Sequence, residues 1–320
     1  MKGGTDLLTV KKQNFKILSK NGIHKLNVIV WKPENCEKVK AVLQISHGMI
    51  EFIDRYDEFA TFLVQNGYVV VGHDHLGHGN TVNNQEEWGY FAKEKASQTV
   101  VDDVYQVTCK IKKDYPNTKL ILLGHSMGSF IARRYLMTYG KELDAAIIMG
   151  TASQPKITIA GGKLIIRIWK VIFGDKHRSK FIEKLMFGTY NKRFSDNRDG
   201  KEWLTKDVEI CNWYCNEPGC TFKFTLNGYQ MILETLGFIQ KQSNINKIPK
   251  NLPIFIVAGK EDPVGNYGKG VEHVYNVYKK AGIEDISIRL YENDRHEILN
   301  ETDREMVYKD ILHWLDKHTK

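Results

Sequence analysis

Three residues, far apart in this 320-residue chain, have the types that nucleophilic acyl transfer requires: Ser126, Asp262 and His296. Ser126 lies in Gly124-His125-Ser126-Met127-Gly128, behind the apolar run Leu120-Ile121-Leu122-Leu123 and ahead of small and apolar residues. That context predicts a strand buried on both faces, a turn with no room for side chains two residues either side of the serine, and then a helix. The hydroxyl would stand at the helix N-terminus, where the dipole and free N–H groups favour an oxyanion. A serine hydroxyl alone is a poor nucleophile. His296, after the last predicted strand, is the candidate base that takes its proton. Asp262, just past a strand end and held in a loop by Pro263, is the candidate acid that fixes the imidazole tautomer. Two N–H groups must face the developing oxyanion. Met127 follows the nucleophile, and Met49 follows an early strand in Ser46-His47-Gly48-Met49. Gly124, His125 and Gly128 are expected to support the turn, and His47 and Gly48 the second donor.

The elements that must position these residues can be read from the same sequence. A hairpin at 14–18 and 25–31 is marked by Asn21-Gly22. Further strands are predicted at 40–46, 68–71, 119–123, 144–149, 252–259 and 287–291, with helices near 55–67, 97–113 and 302–316 between and after them. Such alternation predicts a doubly wound, mainly parallel sheet with an antiparallel edge and its site at the carboxyl ends of the strands. The alternation stops at Gly150. Residues 1–150 are therefore expected to form the first part of a core, 151–247 an inserted lid, and 248–320 the second part. Within the insertion, Lys163, Arg167 and Lys170 recur at helical spacing among apolar residues. That helix suits either a cover over the core or contact with a membrane interface.

Composition excludes several classes. Forty-six Lys and Arg against 38 Asp and Glu give a net charge of +8, but the lysines are scattered and no basic run is interleaved with aromatics, so no nucleic-acid partner is expected. Met1-Lys2-Gly3-Gly4-Thr5-Asp6 lacks an apolar leader pattern, and no run approaches the roughly 20 apolar residues of a spanning helix, which predicts a cytoplasmic protein with at most peripheral membrane contact. Five cysteines fit a reducing compartment. Cys211, Cys215 and Cys220 lack paired short spacings and read as packing residues. His73, His75 and His78 with Asp74 carry the residue types of a metal site. Glycines punctuate that segment and no second cluster follows, so the loop is read as a brace for the serine turn, with neither metal nor cofactor expected.

Taken together these residues resemble the α/β-hydrolase superfamily, and within it the monoacylglycerol lipases and lysophospholipases of the serine aminopeptidase S33 type. The resemblance rests on Ser46-His47-Gly48-Met49 with Glu51, Arg55 and Tyr56, on His73 to Gly79, on Gly124 to Gly128, and on the loops of Asp262 and His296, in the order nucleophile, acid, base. It covers nearly the whole chain from about residue 14. It implies an eight-stranded, mostly parallel sheet with helices on both faces and an inserted helical lid. It further implies a single-chain lipid ester as substrate, an apolar acyl tunnel, and substrate contacts near Ile50, Glu51, Phe52 and Arg55. Similar enzymes often carry small residues where Met49 and Ile50 stand, and Phe52 adds bulk. A short-chain carboxylesterase or an aminopeptidase on the same fold is the alternative. A non-catalytic binding protein and a metal-dependent hydrolase are different classes, and oligomeric state is left open.

Overall fold

Strands that are apolar at every position bury both faces, and in this chain they pair chiefly with one another. The computed structural model describes residues 9–35, 39–194 and 200–320; residues 1–6, read above for a leader, lie outside them. One sheet contains β1 (Val10–Leu18), β2 (Lys25–Pro33), β3 (Val42–Ser46), β4 (Val69–His73), β5 (Leu120–His125), β6 (Ala145–Met149), β7 (Ile254–Gly259) and β8 (Ile286–Tyr291), in the order β1-β2-β4-β3-β5-β6-β7-β8. The hairpin β1–β2 and the β2–β4 pair are antiparallel, and all other neighbours are parallel. This is the expected α/β sheet with its antiparallel edge.

Successive side chains point to opposite faces, so the sheet divides its apolar residues between two layers. Leu43, Ile45, Ile121, Leu123 and Ile147 pack with α1 (Asp57–Gln65) and α10 (Arg304–His318) through Ala60, Leu63, Ile311 and Leu315. Val42, Leu120, Leu122, Ile148 and Ile256 pack on the other face with α2 (Ala96–Asp114), α3 (Met127–Tyr139) and α9 (Lys269–Lys280) through Val104, Ile131 and Val274. Between β6 and β7 the chain leaves the sheet through α4 (Lys156–Phe173), α5 (Lys180–Phe187), α6 (Val208–Asn216), α7 (Leu226–Ile239) and α8 (Gln242–Ile245), with no strand among the described residues. α7 packs on both α3 and α4, which seats this inserted segment above the carboxyl ends of the strands.

Two boundaries differ from the sequence reading. β1 starts at Val10, four residues early, because pairing with β2 runs on to Val10↔Pro33. Lys11 and Lys12 give no apolar signal there, and charge on an edge strand suppresses sheet-to-sheet pairing. The helix expected from 55 begins instead with a 3₁₀ turn at Ile53–Tyr56 before α1.

α3 lies unusually close to β3. A Cβ on Gly128 would sit 2.0 Å from the Ser46 carbonyl oxygen, which is backbone and cannot yield cheaply. Gly128→Ala is therefore expected to destabilise the fold by about 3 kcal/mol or more, the upper end of overpacking. Urea unfolding checks this, and an unchanged midpoint would refute the close approach.

Candidate active site

The carboxyl end of β5 delivers Ser126 in a backbone conformation that residues with a Cβ seldom adopt, φ 53° and ψ −119°. Strain of this kind persists only where the surroundings enforce it. Here the enforcing contacts are those across Gly124 and Gly128: a Cβ on Gly124 would meet the Gly128 carbonyl oxygen at 2.3 Å. The Ser126 carbonyl is held from the following turn by Ser129, through its N–H at 2.9 Å and its hydroxyl at 2.6 Å. Met127 opens α3, so its N–H is one of the unpaired donors of a helix start.

The loop after β8 brings His296 to this serine. His296 Nε2 lies 2.8 Å from Ser126 Oγ, and Nδ1 lies 2.9 Å from Asp262 Oδ2. A carboxylate only accepts, so Nδ1 carries the hydrogen and Nε2 is left to accept from the serine hydroxyl. Asp262 is fully buried just past β7, and its other oxygen accepts the Val264 N–H at 2.8 Å. The acid and base loops touch through Gly259, where a Cβ would lie 2.0 Å from the Arg295 carbonyl oxygen.

A segment inserted between β6 and β7 also holds the base loop. The His296 N–H donates to the Trp203 carbonyl at 3.3 Å and the Glu297 N–H to the Leu204 carbonyl at 2.7 Å. The Glu301 carboxylate joins the two stretches by accepting the Arg295 N–H at 2.7 Å and the Lys206 N–H at 2.9 Å. The Trp203 ring stands 5.2 Å from the His296 ring, with Tyr190 edge-on to it at 5.1 Å. Neither aromatic carries a signal in the sequence, since both lie in the irregular insertion.

Met49 and Ile50 form the turn after β3, and Ile50 takes a left-handed φ of 57°. Histidines pin this turn. His47 Nδ1 donates to the Gly48 carbonyl at 2.8 Å, leaving Nε2 to accept the His75 N–H at 3.0 Å. His78 Nδ1 donates to the Leu76 carbonyl at 2.9 Å, and its Nε2 faces the Ile50 N–H. The Ile50 carbonyl accepts from the Tyr214 hydroxyl of α6 at 2.8 Å. The histidine-rich loop thus braces the site. Among the described residues no group of three His, Cys, Asp or Glu is placed to hold a metal.

Burial keeps these imidazoles neutral. It lowers His47 to about 3, aided by the charge of His78, and lowers His73 and His78 to about 4; His75 is also pushed well down by burial and by His47. In the unfolded chain the same groups take up protons near 6.5. The unfolded state then binds more protons between about pH 4 and 6.5, so stability rises with pH across that window and is lost on acidification. Thermal melts from pH 7 to 4 are expected to show this loss, with a shallower slope in His73→Phe; equal slopes would contradict it.

The residues proposed for substrate contact are divided by the structure. Ile50 and Phe52 are half-buried, with Phe52 against Trp213 and Gly219. Glu51 and Arg55 instead turn inward: Arg55 donates to Glu51 at 2.9 Å and to both oxygens of Glu297 at 2.9 and 2.8 Å. The space they line is about 10 Å³, against roughly 300 Å³ or more for a ligand pocket. Their charges are satisfied by each other, which corrects the expectation that they meet substrate. Glu297 was missed, although its place next to the candidate base was a signal.

The chain is similar to known hydrolases. The family model described as serine aminopeptidase, S33, matches residues 37–303. A monoglyceride lipase homolog of monkeypox virus is 27% identical over 91% of this chain and 94% of its own length. A monoglyceride lipase of Mus musculus is 40% identical over 102 residues, which span 32% of this chain and 31% of the relative. A thermostable carboxyl esterase from Bacillus coagulans superposes with a TM-score of 0.89 at 26% identity, over 98% of this chain and all of that one.

Proposed function

The chain belongs to the serine aminopeptidase S33 family of α/β-hydrolases, and on that footing we propose that it hydrolyses carboxylic esters of single-chain lipids, monoacylglycerols or lysophospholipids, through an acyl-enzyme on Ser126. The observation that carries this reading is the hydrogen-bonded series Ser126 Oγ, His296, Asp262. Ser126 Oγ attacks the ester carbonyl while His296 Nε2 takes its proton, and Asp262 stabilises the imidazolium. The N–H groups of Met49 and Met127 hold the tetrahedral oxyanion. His296 returns the proton to the leaving alcohol, and water, activated by the same imidazole, releases the acid. No step requires a metal or cofactor.

The lipid preference is supported by the inserted segment, which we read as a cap. α4 turns Ile159 and Ile166 inward, yet also exposes Ile157, Leu164, Val171 and Ile172, the first and third at 82% and 83%. Phe173, Phe181 and Leu185 extend this apolar face, flanked by exposed Lys156, Arg167, Lys180 and Lys184. An apolar face edged with cations suits the interface of an anionic bilayer or lipid aggregate. No described helix is long and apolar enough to cross a membrane, so the contact proposed is peripheral.

Initial rates on p-nitrophenyl esters of increasing chain length, a monoacylglycerol, a lysophospholipid and an aminoacyl anilide test the substrate. Long monoacyl lipids are expected to be preferred, and turnover of the anilide alone would replace the esterase reading by a peptidase one. Val171→Asp with Phe181→Asp is expected to slow hydrolysis of vesicle-borne monoacylglycerol about 100-fold, as lost partitioning of two apolar side chains at roughly 1.5 kcal/mol each requires. A soluble short ester should be unaffected. Equal rates on vesicles would sink the membrane contact.

A further inference from the structure

A guanidinium, two carboxylates and an imidazole are buried together behind the candidate base, drawn from three separate segments: the stretch after β3, the end of β5 and the base loop. Arg55 is bidentate to Glu297 and also donates to Glu51 Oε2, with the three side chains 3–5% exposed. The second Glu51 oxygen accepts the Gly48 N–H and the Tyr56 hydroxyl at 3.0 Å, and faces His125 Nδ1 at 3.2 Å. On the opposite edge of that ring, His125 Nε2 faces the His296 carbonyl at 3.3 Å. The Tyr56 hydroxyl also lies 3.2 Å from Nδ1, but its one hydrogen is given to Glu51, so it faces the ring as an acceptor. With only acceptors at Nδ1 and Nε2, both ring nitrogens carry hydrogen, and that species is the imidazolium.

The charges then balance: Arg55 and His125 positive, Glu51 and Glu297 negative. Buried charges persist where they are paired and fully hydrogen-bonded, and a quartet of this kind meets both conditions. We propose that His125 is a standing imidazolium that completes an electroneutral quartet with Glu51, Arg55 and Glu297, and that the quartet positions the oxyanion loop, the nucleophile and the base in one register. The proposal rests on the ester-hydrolase reading above for its catalytic consequence, though not for the charge state itself.

Each member reaches a different catalytic part. Glu51 holds the Gly48 N–H, next to Met49; His125 precedes Ser126; Glu297 follows His296. Arg55 joins the first part to the last, and its guanidinium lies 4.9 Å from the Tyr214 ring of α6, which closes the cluster against the cap. The titratable groups facing His125 are Glu51 and Tyr56 from the segment after β3, Arg55 beyond them, and Glu297 and His296 from the base loop; Asp262 lies on the far side of His296. Burial acts against a charge on His125, but the Glu51 hydrogen bond and charge outweigh it and raise its affinity for a proton. Glu51 and Glu297 are held below the ordinary carboxylate range in spite of their burial, Glu51 by its bond to His125 and by Arg55, Glu297 chiefly by Arg55. The His125 and His296 rings are 5.0 Å apart, so the quartet's balance is felt directly by the base.

Imidazole nitrogen NMR on the full chain with ¹⁵N-labelled histidine reads the charge state without any substrate. At pH 8 one ring is expected to show both nitrogens protonated. Its signals should vanish in His125→Gln and turn into those of a neutral ring in Glu51→Gln; a neutral His125 at pH 8 in the wild type overturns the proposal. The positioning role is read from kinetics on a soluble p-nitrophenyl ester. In Glu297→Gln, kcat is expected to fall about 100-fold with KM little changed, as for a misplacement on the order of 1 Å. The unbalanced positive charge should also move the acid limb of kcat/KM to lower pH by about one unit, which a purely structural defect would not do. Glu51→Gln should also lower kcat with KM little changed, and supplies that test if Glu297→Gln does not fold; because it discharges His125 as well, the acid limb should stay in place. A raised KM with unchanged kcat would place these residues on substrate and overturn positioning. If Ser126→Ala stays active, the ester-hydrolase reading is what fails, and the NMR result still judges the quartet.

Discussion

Alanine at position 126 is expected to leave a folded protein whose ester hydrolysis has fallen about a million-fold, since nucleophile and base act as a unit. The backbone should survive, because the left-handed φ of Ser126 is enforced from outside by the contacts across Gly124 and Gly128 and tolerates a side chain as small as alanine. Residual turnover would come from the oxyanion donors alone. The measurement is the steady-state rate on a p-nitrophenyl ester, with covalent labelling by a fluorophosphonate as the companion. Wild-type labelling with none in the variant places the acyl group on Ser126, whereas retained hydrolysis at more than a few percent would remove this serine from the chemistry.

Asp262→Asn is expected to lower kcat about 10⁴-fold with KM little changed. The geometry gives the reason. Asp262 Oδ1 accepts the Val264 N–H, a bond an asparagine carbonyl can keep only by turning its NH₂ group toward His296. Facing a donor, His296 Nδ1 would have to give up its hydrogen, and Nε2 would carry it instead. The base would then present a donor to Ser126 Oγ and could not accept its proton. Unchanged thermal stability together with this loss identifies a tautomer defect. A small effect on kcat would shift the acid's role to Glu261, its neighbour in sequence.

The sheet, the succession of strands along the chain and the three residues that the structure brings together were legible because each rests on local chemistry. Leu120 to Leu123 is apolar at every position since β5 is covered on both faces, and Gly124 and Gly128 are required by a turn whose neighbours are backbone atoms. Placement in the loop after the final strand then separates His296 from the other histidines. The insertion was not legible beyond its helical character, because nothing in its sequence says which aromatic, such as Trp203, will reach the base. Glu51 and Arg55 show a different limit. A charged residue near a site reads as a ligand contact, but Arg55, which holds Glu51, is itself claimed by Glu297, 242 positions beyond it, and pairing at that distance leaves no local trace. The histidine loop was read as a brace from the glycines that punctuate it, and in the structure His47 and His78 hydrogen-bond within and around the turn after β3.

The contact between Trp203, Leu204 and the base loop also bears on how such proteins can be rebuilt. Two of the backbone N–H groups that fix His296 and its neighbour find their acceptors only in the inserted segment, and Glu301 ties the same stretches together by two further bonds. A chimera that exchanges everything between Met149 and Ile254 would exchange part of the catalytic scaffold along with the specificity. A graft bounded so as to retain residues 202–207, together with Tyr214 on the Ile50 carbonyl, is the one that keeps these contacts while the rest of the donor sequence varies.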